Sequence, residues 1–126
     1  MERMILNVAT GDLAGSEAFW RGLLGLEAAF ESDWFILLTG PAGIQIGLIA
    51  AGHEVVPAGV GGTPRGLYPT FVVADVEVAA ETARGMGAEI LEGPADTFYG
   101  QRRMLVRAPE GTVLDISSPT APAPGA

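Results

Sequence analysis

The clearest candidate for chemistry in this sequence is Asp115, which lies in the apolar stretch Gly111–Ile116 after the turn Ala108–Glu110. The alternation of side chains along this stretch predicts a strand. A carboxylate on a strand can anchor a cationic or hydroxylated ligand, or act as a general acid or base. It can equally well pair with a nearby arginine, and the sequence leaves these roles open.

Other reactive side chains are scarce. The chain contains no cysteine, which excludes disulfides, thiolate nucleophiles and thiolate metal sites. Its one histidine, His53, lies in a Gly/Pro-rich stretch and is interpreted as a surface residue, so Ser-His-Asp chemistry has no histidine to use. The glycine cluster Gly59–Gly62 is not a phosphate loop, because no strand leads into it and no Lys-Ser/Thr follows.

The elements that must position these residues occur in two similar sets. Asp12 and Asp75 are predicted N-caps of helices over 13–24 and 76–86, and glycines follow each helix. Alternating apolar residues predict strands in the first set at 4–9, 26–31, 34–39 and 44–50. They predict strands in the second set at 68–73, 88–92, 102–107 and 112–117, with a loop at 93–100.

An internal repeat relates the two sets. Asp12 matches Asp75 at an offset of 63, and Pro41-Ala42-Gly43 matches Pro109-Glu110-Gly111 at an offset of 68. The second set therefore has a longer loop, which we place between Gly93 and Gly100. The same alignment sets Gly47 opposite Asp115, so the first copy lacks the carboxylate.

Composition bounds the class of protein. The 126 residues are 48% apolar and fit one domain-sized core, and no apolar run reaches the length of a membrane span. The first residues do not resemble a signal peptide, so we expect a cytoplasmic protein without membrane contact. A net charge of −8 disfavours nucleic acid as a partner. It favours a cationic ligand, or simply keeps the protein soluble.

At this point the chain resembles the vicinal oxygen chelate superfamily of glyoxalases, bleomycin resistance proteins and extradiol dioxygenases. The first copy carries the resemblance in Asp12-Leu13, Phe19-Trp20 and Leu24-Gly25-Leu26. The second carries it in Phe71–Val76, Gly100–Arg103 and Arg107–Gly111. The resemblance implies an α+β fold of two βαβββ modules forming curved mixed sheets around a cavity, in a homodimer.

The resemblance also implies four positions for metal ligands, on the first and last strands of each module. In this sequence they are Ile5, Gly47, Tyr68 and Asp115. Only Asp115 is a common ligand for a divalent cation, because Ile5 and Gly47 offer no donor and tyrosine is a rare one. We therefore expect no bound divalent metal and no other cofactor.

A ligand cavity of the kind that the resemblance implies would draw on eight side chains. Rigid aromatic rings suit flat ligands, although Trp34 could equally be core and Phe98 and Tyr99 could equally form an interface. One of the adjacent Arg102 and Arg103 should face the cavity, since neighbours on a strand point to opposite sides. The predicted ligand-binding residues are Asn7, Trp34, Gln45, Tyr68, Thr70, Phe98, Tyr99 and Asp115.

The sequence thus predicts a first module at 1–50, a connector at 51–67, a second module at 68–118 and a flexible tail at 119–126. The favoured function is metal-free binding of a small aromatic or cationic, antibiotic-like compound. An enzyme of the same superfamily, such as a lyase, isomerase or dioxygenase-like protein, is the alternative, with Asp115 as its acid or base. A non-catalytic interaction module is the third possibility.

Overall fold

The computed structural model describes residues 1–120, and the chain forms two compact units that divide after Pro64. Each unit contains one helix and one four-stranded sheet. The division lies within the predicted connector at 51–67, and no helix or strand occurs between Ala50 and Thr70.

The first unit is a βαβββ module with strand order β1-β4-β3-β2. Strands β1 and β4 run parallel, and the other neighbours are antiparallel. A short 3₁₀ turn, Pro41–Gly43, precedes the last strand. The elements are β1 (Leu6–Thr10), α1 (Leu13–Leu24), β2 (Glu27–Glu31), β3 (Phe35–Thr39) and β4 (Gln45–Ala50).

Helix α1 is capped by Asp12 at its start and by Gly25 at its end. The Asp12 carboxylate accepts a hydrogen bond from the Gly15 amide at 3.0 Å, and Gly25 ends the helix with a φ of 66°. Phe19, Trp20 and Leu23 are buried on one side of the helix. The core of the first unit lies between this side and strands β3 and β4.

The second unit repeats the module with strand order β5-β8-β7-β6, again with its first and last strands parallel. The Asp75 carboxylate caps α2 through the Glu77 amide at 2.9 Å. The elements are β5 (Thr70–Val72), α2 (Val76–Gly85), β6 (Glu89–Asp96), β7 (Gln101–Arg107) and β8 (Val113–Pro119). The prediction of an α+β fold with two βαβββ modules is confirmed.

The longer loop of the second copy is a longer hairpin. Six residues separate Phe30 from its partner Leu37, whereas twelve separate Glu92 from Leu105. The extra residues lie where the repeat placed them. However, 93–96 are not loop: β6 continues to Asp96 past a register shift at Gly93-Pro94, where proline cannot donate to the ladder.

Other boundaries also differ from the prediction. Strand β1 begins at Leu6, so Met4 and Ile5 lie before the strand rather than in it. Strand β5 begins at Thr70, so Tyr68 lies before the strand rather than in it. Strand β8 extends to Pro119, the first residue of the predicted tail, and 121–126 lie outside the described residues. Within residues 1–120, neither helix is long and apolar enough to cross a membrane.

Candidate functional site

The parallel strand pair of each unit holds equivalent positions. In the first unit Asn7 of β1 lies beside Gly47 of β4, and in the second unit Thr70 of β5 lies beside Asp115 of β8. These are the positions that the two repeat offsets relate. The register therefore confirms that Gly47 and Asp115 correspond.

Asp115 lies on the face of the second sheet that points away from helix α2. Ser118 of the same strand faces the helix, because its hydroxyl accepts a hydrogen bond from the Val76 amide at 3.1 Å. Successive side chains alternate between faces, which places Leu114 and Ile116 with Ser118 and places Asp115 and Ser117 opposite. The helix side forms the core, since Leu114 and Ile116 are fully buried.

The two oxygens of the Asp115 carboxylate differ in their hydrogen bonding. The residue is only 5% exposed. The Thr70 hydroxyl donates a hydrogen bond to Oδ2 at 3.3 Å. The second oxygen, Oδ1, is buried and accepts no hydrogen bond within the described part of the chain. An unpaired buried acceptor costs about 1–3 kcal/mol, so this oxygen has the capacity to bind a donor.

Arg103 is the cation nearest to this carboxylate, yet Glu92 holds it more closely. The Arg103 Nη2 atom lies 3.2 Å from Glu92, whereas Nη1 lies 3.9 Å from Asp115 Oδ2 and 3.4 Å from the Tyr99 hydroxyl. The hydrogen bond to Glu92 is the main cause that raises the pKa of Arg103, against the opposing effect of burial. Asp115 therefore has only a long ion pair with Arg103, which is too far away to donate a hydrogen bond to it.

The structure decides which of the two adjacent arginines accompanies Asp115. Arg102 points to the other face, where it pairs with Glu77 of helix α2 at 2.5 Å and with Asp96 at 3.1 Å. Both contacts raise the pKa of Arg102. Arg103 is consequently the arginine of the candidate site.

In the first unit, side chains fill the space where a carboxylate would start. A Cβ atom added to Gly47 would collide with Asn7 Oδ1, and it would lie 2.9 Å from the Phe35 ring and 3.3 Å from Ile5 Cγ2. Gln45 accepts a hydrogen bond from Arg3 Nε at 2.5 Å. Asn7, the counterpart of Thr70, thus places its amide against Gly47, and the first unit has no carboxylate at this position.

An aromatic cluster lies at the start of β3. Trp34 stacks on His53 with 3.9 Å between ring centroids and 10° between planes. Phe35 contacts Trp34, with centroids 5.6 Å apart, and Phe30, with centroids 6.1 Å apart. The stack on Trp34 was missed from the sequence, because nothing in the spacing of positions 34 and 53 indicates that they meet.

The remaining predicted residues differ in exposure. Phe98 and Tyr99 form the turn of the β6–β7 hairpin, where Phe98 is fully exposed and Tyr99 contacts Arg103. Their rings contact each other edge to face at 5.3 Å. Tyr68 is 59% exposed beside the start of β5. Asp115 contacts Thr70 and Arg103, and Arg103 in turn contacts Tyr99, so Thr70, Asp115 and Tyr99 belong to one cluster.

The donor set does not fit a divalent metal site. Ile5 and Gly47 have no donor atom in their side chains, Tyr68 is exposed, and the Gln45 amide oxygen is used by Arg3. Among residues 1–120, no three His, Cys, Asp or Glu side chains are grouped so that they could hold a metal ion. A single carboxylate is too few protein ligands for a stable divalent site.

Solved structures share this fold at low sequence identity. A glyoxalase/bleomycin resistance protein/dioxygenase family enzyme from Burkholderia phytofirmans PsJN is 19% identical with a TM-score of 0.74, covering 90% of this chain and 95% of its own. A glyoxalase/bleomycin resistance protein/dioxygenase from Nocardioides is 24% identical with a TM-score of 0.73, and the alignment covers 100% of this chain and 89% of that chain. A lactoylglutathione lyase from Agrobacterium tumefaciens is 18% identical with a TM-score of 0.68, covering 91% of both chains.

No curated protein sequence matches the chain significantly. A family model does match: that of the Glyoxalase/Bleomycin resistance protein/Dioxygenase superfamily, which aligns with residues 5–116. This match spans both modules and the Asn7–Gly47 and Thr70–Asp115 pairs. The chain belongs to the glyoxalase/bleomycin resistance protein/dioxygenase superfamily.

Proposed function

We propose that this protein binds a small molecule without a metal ion, with Asp115 as the anchor of the ligand. The observation that carries the proposal is the buried carboxylate of Asp115, whose Oδ1 accepts no hydrogen bond from the described residues. A donor group of a ligand would satisfy this oxygen. The residues proposed to contact the ligand around it are Thr70, Tyr99 and Arg103.

The repeat supports a functional reason for this carboxylate. The first unit forms the same sheet with glycine at the corresponding position, so the fold does not need an acid there. A buried carboxylate with one unpaired oxygen costs stability. A residue that costs stability and is not needed by the fold is a good candidate for binding.

The charges around Asp115 favour a cationic ligand. Asp115 and Glu92 carry two negative charges and Arg103 one positive charge, so the cluster is short of one cation. The protein as a whole carries a net charge of −8, which attracts cations over longer distances. A protonated amine that donates to Oδ1 would neutralise the cluster and satisfy the unpaired oxygen.

Aromatic surface supports a flat ligand. Tyr99 lies beside Arg103 and its ring is half exposed, and Phe98 is fully exposed at the same turn. Exposed aromatic rings at a hairpin turn offer stacking surface. A planar aromatic amine therefore combines the two features that the second unit offers.

The Asp115→Asn variant tests this proposal with a matched pair of probes. At neutral pH 9-aminoacridine is a cationic donor, whereas acridine is neutral and has no donor. We expect the wild-type protein to bind 9-aminoacridine at least about tenfold more tightly than acridine, and the variant to lose most of that preference. Fluorescence titration of each probe measures both affinities.

The stability of the same variant separates a binding role from a structural one. We expect Asp115→Asn to change the free energy of unfolding by less than about 1 kcal/mol, because the amide keeps the shape and the Thr70 contact. Urea denaturation measures it. If the variant folds and keeps its preference for 9-aminoacridine over acridine, the proposal is contradicted. It is also contradicted if the wild-type protein binds none of a panel of aromatic amines and natural-product antibiotics.

Native mass spectrometry tests the proposed absence of metal. Because one carboxylate cannot hold a divalent ion tightly, we expect purified protein to carry no stoichiometric zinc, iron, nickel or manganese. The same spectra report the oligomeric state, for which we expect a homodimer. Adding each metal with and without a chelator should leave the melting temperature unchanged. A stoichiometric metal, or a melting temperature that rises with one of them, would contradict the metal-free assignment.

A further inference from the structure

We infer that Glu92 determines the selectivity of this site for cations by keeping Arg103 away from Asp115, although Glu92 need not contact the ligand. The inference rests on the proposed function, because it concerns the same carboxylate. It adds a residue that neither the repeat nor the predicted ligand set includes.

The geometry shows a competition for one guanidinium group. Arg103 Nη2 lies 3.2 Å from Glu92 Oε1, and Nη1 lies 3.9 Å from Asp115 Oδ2. N–H···O hydrogen bonds are about 2.7–3.2 Å long, so the contact with Glu92 is at the upper end of this range and the contact with Asp115 lies outside it. The Tyr99 hydroxyl, 3.4 Å from Nη1, supports the same position of the arginine.

The two competing carboxylates differ in their surroundings. The Glu92 side chain is 59% exposed, whereas the Asp115 side chain is 7% exposed. Attraction between opposite charges is stronger where water is excluded. Without Glu92, the Arg103 guanidinium would therefore move toward Asp115, the nearest remaining carboxylate, and pair with it.

That movement would remove the binding capacity of the site. An arginine paired closely with Asp115 neutralises the charge that a cationic ligand needs. It also competes for the carboxylate oxygens to which the ligand would donate. The Glu92–Arg103 pair thus leaves Asp115 available, so cation binding at Asp115 depends on an exposed residue of β6, two strands away in the sheet.

A purely structural role for Glu92 predicts something different. Exposed ion pairs contribute little to stability, and an exposed glutamate lost from a surface strand should leave ligand affinity nearly unchanged. The chain contains a matched control: Glu89 also lies on β6 and pairs with an arginine of β7, Arg107, at 3.2 Å. Glu89→Gln removes the same charge from the same strand without freeing Arg103.

The experiment measures the affinities of 9-aminoacridine and acridine for four variants and the wild-type protein. The variants are Glu92→Gln, Glu89→Gln, Arg103→Met and the double variant Glu92→Gln/Arg103→Met. We expect Glu92→Gln to weaken 9-aminoacridine binding by about 3- to 10-fold and to change acridine binding by less than about twofold. Glu89→Gln should change either affinity by less than about twofold, which also controls for the lost net charge.

The double variant tests the mechanism. If Glu92 acts through Arg103, its substitution has no further effect once Arg103 is methionine, and the double variant should bind 9-aminoacridine as Arg103→Met does. An equal loss in both backgrounds would overturn the inference, as would equal effects of Glu92→Gln and Glu89→Gln. The last comparison stays decisive if Arg103→Met does not fold.

These outcomes are distinct from a failure of the proposed function. If Asp115→Asn abolishes the preference for 9-aminoacridine and Glu92→Gln does not change it, Asp115 is the anchor and the inference about Glu92 is wrong. If the wild-type protein binds neither probe nor any other aromatic amine, the proposed function itself is contradicted, and the inference falls with it.

Discussion

The Gly93→Ala variant should be less stable than the wild-type protein by about 2–5 kcal/mol. Gly93 has a φ of 79°, in the left-handed region that side chains rarely adopt. An added Cβ would also collide with the Arg103 carbonyl oxygen and lie 3.2 Å from Met104 Cα. Both atoms belong to the backbone of β7, which cannot move aside as a side chain can. Urea denaturation followed by circular dichroism measures the loss.

Gly100→Ala is the control for this prediction. Gly100 lies in the same hairpin with a φ of 88°, but nothing lies within 4 Å of an added Cβ. It should show the cost of the left-handed backbone alone, about 1–2 kcal/mol. Equal losses in the two variants would show that the close approach of β6 to β7 at Gly93 does not matter.

The collision at Gly93 should also affect the proposed binding site. Arg103 is the residue whose carbonyl meets the added methyl group, and its side chain contacts both Glu92 and Asp115. We expect Gly93→Ala, where it remains folded, to weaken 9-aminoacridine binding more than Gly100→Ala does. The hairpin would then be required for the site as well as for the sheet.

The Gly47→Ala variant should lose about 1–3 kcal/mol of stability, the usual cost of overpacking a buried site. Gly47 is buried in β4, and its Cβ position is already occupied by Asn7 Oδ1 and closely approached by the Phe35 ring. In an ordinary strand the same change would be favourable, because glycine weakens strands. The sign of the effect therefore reports how tightly the first unit is packed at this position. Thermal and urea denaturation measure it.

Removing Asn7 should relieve part of this strain. The Asn7→Ala/Gly47→Ala double variant keeps the contact with Phe35 and loses the collision with the amide. We expect it to be more stable than the sum of the two single effects predicts, since residues in contact are not additive. Additive effects would mean that Asn7 turns away at no cost and that Phe35 alone limits position 47.

Local signals explain why so much of the fold follows from the sequence. The helix limits at Asp12, Gly25 and Asp75 depend on residues that satisfy the ends of their own helices. The repeat placed the extra residues in the right hairpin, because both copies bury the same alternating apolar pattern. The path of 93–96 was predicted wrongly, since a Gly-Pro pair reads as a loop locally and is part of β6 only through its pairing with β7.

The candidate site was predictable only in part. The register pairs Thr70 with Asp115, and Tyr99 reaches the same group through Arg103, so three of the predicted residues belong to one cluster. The sequence did not indicate Glu92 as a site residue, because its contact with Arg103 crosses a register shift that no local pattern reveals. The stack of His53 on Trp34 likewise joins positions that are distant in sequence.

The sequence by itself determined the two βαβββ modules, their caps and the single carboxylate that the first module lacks. These features arise from local propensities and from a repeat visible in residue order. Only the tertiary structure decided that Arg103 rather than Arg102 accompanies Asp115, and that Arg103 lies 3.2 Å from Glu92 but 3.9 Å from Asp115. It also decided that Asp115 Oδ1 accepts no hydrogen bond from the described residues. Hydrogen bonds and ion pairs depend on distances of a few ångströms, which the sequence does not give. Alternation along a strand divides its side chains between two faces but does not determine which face packs against the helix.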